Sequence, residues 1–454
     1  MKIKLTVVII FLLTTFASAQ SEFGFLNGFP KEETGRFQGG LGLSWIDGKP
    51  HFTFRLTPDI AFGKWGIGLD LNLEFDSDGK LRDENFKTAS DYLSIIRYVR
   101  YGQKKDNVFA RIGALDYYTL GQGNIIYNYS NSPSFDNRKT GFAFDLDFDK
   151  AGFETMYSDF TSGGVLGIRG YVRPFKFDAG MSKIPILNTI ELGLSFAGDF
   201  NSNAAVFSGR KDANGNFEAV KKDESLSMLG VDLGIPIVRQ DILNLDLYLN
   251  YTKINNFGSG INSGFIMGLN GLGLLNVSVK FERRWNEGKY LPGYFGPLYE
   301  IERFSYDSST GIPMTKAQQL DGITTSDNGW FGGLNAVVLN TFTITGSYER
   351  LDKTPNSGRL LLASDISPKG SQYVIRAGYE KYGIQSESEV FTTDDRSHLY
   401  VEAGYKPMEY LLVSLVYHWT FTPLRDANDN VIGYEPQKRI EPRVTFVYPF
   451  NVGK

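Results

Sequence analysis

IGLDLNLEF, residues 67–75, alternates without a break: Ile67, Leu69, Leu71, Leu73 and Phe75 stand against Gly68, Asp70, Asn72 and Glu74. A strand sends successive side chains to opposite faces, so this stretch is a strand with one apolar face and one polar face. The same period recurs along the chain. Phe142, Phe144, Leu146 and Phe148 oppose Asp145 and Asp147, and Leu243, Leu245, Leu247, Leu249 and Tyr251 oppose Asn244, Asp246 and Asn250. Leu275, Val277, Val279 and Phe281 oppose Ser278, Lys280, Glu282 and Arg284.

About twenty such runs, most of them roughly ten residues long and separated by turn residues, predict a transmembrane barrel. The expected fold is all-β: a large antiparallel up-and-down barrel of about 18–20 strands, with short periplasmic turns and long extracellular loops. A soluble β-sandwich or propeller would also alternate. Two features weigh against it: nearly every strand bears the pattern, and ionisable residues recur at mid-strand on the polar face. Turns at Lys406-Pro407-Met408, Pro368-Lys369-Gly370, Leu339-Asn340, Asn270-Gly271 and Asp149-Lys150 all fall on the side where the C-terminal strand ends. Connections 76–90, 116–138, 200–224, 285–329 and 421–437 all fall on the other. Trp45, Trp285, Trp330 and Trp419 are expected at outer strand ends and Trp65 at an inner one, as interfacial girdles require.

The N-terminus, MKIKLTVVIIFLLTTFASAQ, has basic Lys2 and Lys4, an apolar core from Leu5 to Leu13 and the small-residue site Ala17-Ser18-Ala19. This is a secretory signal peptide, too short in its apolar run to span a bilayer. The expected organisation is a cleaved leader at 1–19, a short periplasmic segment at 20–35 and one barrel domain at 36–454. Cleavage takes the formal charge from −4 to −6, and no basic face suggests nucleic acid. The 454 residues contain no Cys, which excludes disulfides, thiolate metal sites and a cysteine nucleophile.

The signal peptide, the alternating strands and the terminal RVTFVYPF resemble bacterial outer-membrane β-barrel proteins, porin-like in general, over about Arg36 to Phe450. That resemblance implies location in the cell outer membrane and contact with its lipid. It also implies recognition of the last strand by the barrel-assembly machinery, with Phe446, Tyr448 and Phe450 as the matching aromatics; the chain runs on to Lys454. A plug domain of the kind carried by energy-coupled receptors is not expected ahead of the strands.

Chemistry is sparse. His51, His398 and His418 are the three histidines. His418 lies on the polar face in line with Ser414, but a lumen histidine is the plainer reading than a Ser-His-acid site. Scattered His without Cys argues against zinc. Asp212-Ala-Asn214-Gly-Asn216 and Asp426-Ala-Asn428-Asp-Asn430 echo a calcium loop, yet Phe217 and Val431 replace its Gly, and Asp223 and Gln437 its Glu. Both read as polar turns. No catalytic residue, metal site or cofactor is expected.

By parity the inward acids are Asp70, Glu74, Asp145, Asp147, Glu191, Asp232, Asp246, Glu282, Glu349, Glu380, Glu402 and Glu441. The inward bases are Arg36, Arg55, Arg111, Arg169, Arg173, Lys280, Arg284, Arg376 and Arg443. These charges can pair across strands and stiffen the wall, or line a wet pathway. A barrel this wide is not filled by its own side chains. The connection from Asp116 to Arg138 is unusually long and carries Tyr117, Tyr118, Tyr127, Tyr129, Ile125 and Ile126, with Gly121 and Gly123 able to turn sharply. Two readings stand: it folds into the lumen, with Arg111 and Asp145 near the narrowest level, or it extends the flanking strands outward with Tyr127 and Tyr129 in the outer girdle. The expected function is passage of small polar solutes. A closed structural or surface-binding barrel is the alternative, and an outer-membrane hydrolase a third.

Overall fold

The structure, a computed structural model, describes residues 34–451 apart from positions 85, 88, 105, 223–225, 241, 271–274, 308–311, 340–341 and 367–370. The proposed leader, most of the segment after it, and the turns predicted at Gly271, Asn340 and 368–370 lie outside the described residues.

One sheet holds 22 strand segments. Thr34–Ile46 pairs antiparallel with Val431–Asn451, Thr34 opposite Asn451, so the sheet closes on itself. Two pairs of segments are halves of one strand. Lys49–Leu56 continues as Asp59–Phe62 across Thr57-Pro58, where the missing proline N–H interrupts the ladder. Trp65–Leu69 continues as Leu71–Phe75 across Asp70. The register runs through both breaks, with Leu56 opposite Leu71 and Asp59 opposite Gly68. Counted this way, the closed wall has twenty strands, each antiparallel to its neighbours.

The alternation of strand directions sorts the connections. Thr34 and Asn451 share one end with the turns at 63–64, 102–107, 148–150 and 409–410. The connections 76–95, 114–140, 200–225, 287–326 and 426–430 share the other. The last is shorter than its predicted 421–437, because the flanking strands Leu411–Arg425 and Val431–Asn451 run past the wall. Trp419 consequently sits inside its strand and donates Nε1 to the Asp394 carbonyl at 2.8 Å. The strand Ile96–Tyr101 is preceded by the helix Ala89–Leu93. Alternation fails at Ile95-Ile96 because the chain is turning there. One long connection lies at the turn end against expectation: 173–190, which coils through three short 3₁₀ turns.

Side-chain placement follows the period. Leu247, Leu249 and Tyr251 are 41%, 46% and 45% exposed on the outside, whereas Tyr248, Asn250 and Thr252 are buried toward the lumen. Leu194, Leu229, Ile261, Ile344, Leu415 and Val444 extend the same apolar belt around the barrel. A closed wall with this belt satisfies its backbone groups internally, as a bilayer demands.

The loop end is built over. Val206–Lys211 and Phe217–Lys222 form a hairpin, as do Phe304–Asp307 and Ile312–Thr315. Phe217 meets Phe304 edge-on, ring centroids 4.8 Å apart, so the two hairpins join as a lid.

Candidate functional site: the lumen and its inward loop

Past Gly113 the chain leaves the wall. Gly113 has φ +119, and a Cβ there would lie 2.3 Å from the Arg97 carbonyl, so only glycine makes this corner. The connection then folds inward as a small hairpin. The Tyr118 and Tyr129 amides each donate to the other residue's carbonyl, at 2.8 and 2.9 Å, and Leu120 N donates to Ile126 O at 3.1 Å. Gly121 and Gly123 form its tip with φ +55 and +85. A Cβ on Gly121 would meet Arg169 Cδ at 2.7 Å.

This inward loop buries Leu120, Ile125, Ile126 and Tyr129 against Phe295, Tyr294 and Tyr299 of the 287–326 connection. Each such side chain contributes roughly 1.5–3 kcal/mol when fully buried. Backbone bonds reinforce the contact: Tyr127 N to Phe295 O and Phe295 N to Ile125 O, both 3.1 Å. Tyr129 is fully buried and Tyr127 packs edge-on against Phe331, so neither joins an outer girdle.

The wall charges are mostly tied down. Arg169 is the densest node: it donates to Asp232 at 2.6 and 2.9 Å, to Glu154 at 2.8 Å and to Glu191 at 2.7 Å. Lys104 bridges Asp145 and Glu154, both at 3.0 Å, and Tyr118 donates to Asp145 at 3.1 Å. Arg173 holds Asp147 at 2.8 and 2.9 Å. Arg111 donates to Asp116 at 2.9 Å and to the Ala114 carbonyl at 2.6 Å. Arg111 and Asp145 thus anchor the inward loop from separate points and do not pair with each other. Asp70 lies 3.8 Å from Arg55 and 3.5 Å from Arg138, and Glu74 pairs with Arg439 and with Arg82 at 3.4 Å. Tyr117 reaches across the lumen and donates to Glu380 at 3.0 Å.

A second node, which the residue pattern did not reveal, locks the inward loop to the lid connection. Glu300 accepts from Lys139 Nζ at 2.5 Å, from Arg303 at 2.5 and 2.9 Å, and from the Tyr129 hydroxyl. Arg303 also donates to Asp199 at 2.6 Å. Burial raises the pKa of Glu300, but Arg303 and Lys139 outweigh it and hold the carboxyl below its ordinary value. Asp116 is likewise held low against burial, by Arg97 and Arg111. Only Arg303, three residues on, is a local partner of Glu300; Lys139 and Tyr129 lie far along the chain.

Among the described residues, three of the remaining spaces follow one another by shared lining residues. The upper one, at the loop end, is lined by Arg284, Glu302, Glu349, Arg350, Arg359 and Arg396. A small middle chamber shares Glu302, Glu349, Arg359 and Tyr382 with it. The lower chamber is lined by Arg55, Asp70, Arg97, Arg376, Glu402 and Arg443 among others. Middle and lower chambers share Pro297 and Glu380.

Ser414 and His418 are four strand residues apart, about 13 Å. Ser44 donates to Glu441 at 3.4 Å and His418 lies 4.0 Å from the same carboxylate, so the acid stands between hydroxyl and imidazole. His51 contacts the Lys49 carbonyl at 3.0 Å. Asp212 and Asp426 each accept from the backbone two and four residues on, as turn caps do.

No family model and no curated protein matches the chain. Among solved structures, OprD of Pseudomonas aeruginosa is similar at 12% identity and TM-score 0.33, covering 97% of this chain and 100% of that one. OccK11 (OpdR) of the same organism gives 10% identity and TM-score 0.32 over 93% and 98% of the two chains. OccAB2 of Acinetobacter baumannii gives 10% identity and TM-score 0.32 over 94% and 100%. The closed wall and its apolar belt are, on their own geometry, those of a transmembrane β-barrel.

Proposed function

We propose that the barrel is a substrate-selective channel for small polar solutes, narrowed by the inward loop 114–140 and the lid connection 287–326, and that it catalyses no reaction. The observation that carries this reading is the run of charged chambers from the loop end down the lumen, each sharing wall residues with the next. A wall meant only to be rigid would fill that space with its own loops. The belt is in contact with outer-membrane lipid, and the last strand presents its outward aromatics, Phe446 among them, to the assembly machinery. A closed display barrel is the second reading, favoured by the hairpins that meet over the mouth.

Single-channel recording in planar bilayers separates the two. Wild-type protein should conduct, and deletion of Gly121 to Ser130 should raise conductance while heat-modifiable gel mobility shows an intact barrel. A folded barrel silent in both forms would establish the closed reading.

A further inference from the structure

Six carboxylates line the middle and lower chambers: Asp70, Asp116, Glu302, Glu349, Glu380 and Glu402. Five lie within salt-bridge distance of a cation. Asp70 has Arg55 and Arg138, Asp116 has Arg97 and Arg111, and Glu402 has Arg376 and Arg443. Glu302 has Lys316 and Arg359, and Glu349 has Arg284 and Arg359. Glu380 differs. It is 4% exposed, and its hydrogen-bond partner is the neutral Tyr117 hydroxyl at 3.0 Å. Among the described residues no ammonium or guanidinium is within 4 Å of it. Leu361 and His398 stand opposite it on the neighbouring strands.

A buried carboxylate without a cation is costly, and replacement by a neutral residue would relieve that cost. Glu380 also stands, with Pro297, in the wall shared by the middle and lower chambers. A solute moving between the chambers passes it and must separate it from Tyr117, since that pair bridges inward loop and wall.

We propose that Glu380 is a cation-binding gate, the point at which the ammonium or guanidinium group of a passing solute takes the place of the Tyr117 hydroxyl. The proposal rests on the channel reading above. The surrounding arginines face their own acids, and Glu380 is the one carboxylate of the six with no such neighbour, so the passing group supplies the missing partner. Tyr117 holds the gate shut between passages and leaves without exposing a charge of its own.

The test is the reversal potential of full-length protein in a KCl gradient at pH 8, with guanidinium chloride as the probe of block. Glu380→Gln should lower the permeability ratio of potassium over chloride about fivefold, equivalent to about 1 kcal/mol, and abolish block by guanidinium. Glu380→Asp should keep cation preference, and Tyr117→Phe should raise conductance while keeping it. Tyr117→Phe also serves if the Gln variant does not fold. An unchanged ratio and unchanged block in a conducting Glu380→Gln barrel would overturn the gate and leave the channel standing. A folded barrel that passes no current even without Gly121 to Ser130 would overturn both.

Discussion

Replacing Glu300 by Gln should undock the inward loop while the wall stays intact. The carboxylate accepts from Lys139, Arg303 and Tyr129, and all four side chains are buried. Gln keeps the shape and removes the charge, leaving two buried cations short of a partner. Breaking a buried pair this way costs about 3–5 kcal/mol. Arg303 retains Asp199 at 2.6 Å and Lys139 stays 3.8 Å from Asp159, which argues for the lower figure. About 3 kcal/mol multiplies the undocked population about a hundredfold. The amides of Tyr118 and Tyr129, bonded to each other's carbonyls, report on docking through hydrogen exchange. Their protection should fall by that factor, while the amide of Leu249 in the wall keeps its own. Equal protection at Tyr118 and Tyr129 in variant and wild type would refute the role given to this node.

Three further outcomes are expected. Leu71→Arg puts a cation into lipid at about 2–4 kcal/mol and should block assembly, whereas Asn72→Arg faces the lumen and should be tolerated; heat-modifiable gel shifts read both. Gly121→Ala combines a left-handed backbone with a contact 2.7 Å from Arg169 Cδ, and should raise exchange at the loop tip without changing barrel yield. Asp116 and Glu300 have folded pKa values below their unfolded ones, so their contribution is complete above the ordinary carboxylate range and is lost only as pH falls through the folded values. Hydrogen-exchange protection of the Tyr118 and Tyr129 amides should therefore hold steady from pH 8 to pH 5 and fall only below the ordinary carboxylate range; a loss of protection near neutrality would contradict this.

How much was readable in the residues depends on the range of the interaction. Period-2 alternation is local, so strands such as Leu243–Ile254 and their outward faces were legible directly. The apolar content of 116–138 showed that this connection had surface to bury, but not where. Its partners Phe295, Glu300 and Glu380 lie more than 160 positions away, and no spacing rule spans that distance. The coil at 173–190 was missed because a short-turn rule says nothing about an exception. The hairpins within 200–224 and 285–329 were hidden for another reason: short strands in a polar loop carry too few residues to display a period.

The pairing of Thr34–Ile46 with Val431–Asn451 has a consequence for the order of events in biogenesis. The wall cannot close until its last strand exists, and the inward loop, made early, must wait for late strands to complete its contacts. Ser134 donates to the Phe421 carbonyl at 2.8 Å, Asn137 to Tyr434 at 2.6 Å, and Gln437 to Asp136 at 3.2 Å. Contacts of such sequence separation slow folding, because chain entropy is spent before they repay it. The loop therefore acts as a clasp between the first third of the chain and the last, and a half-made barrel has nothing to fasten it to.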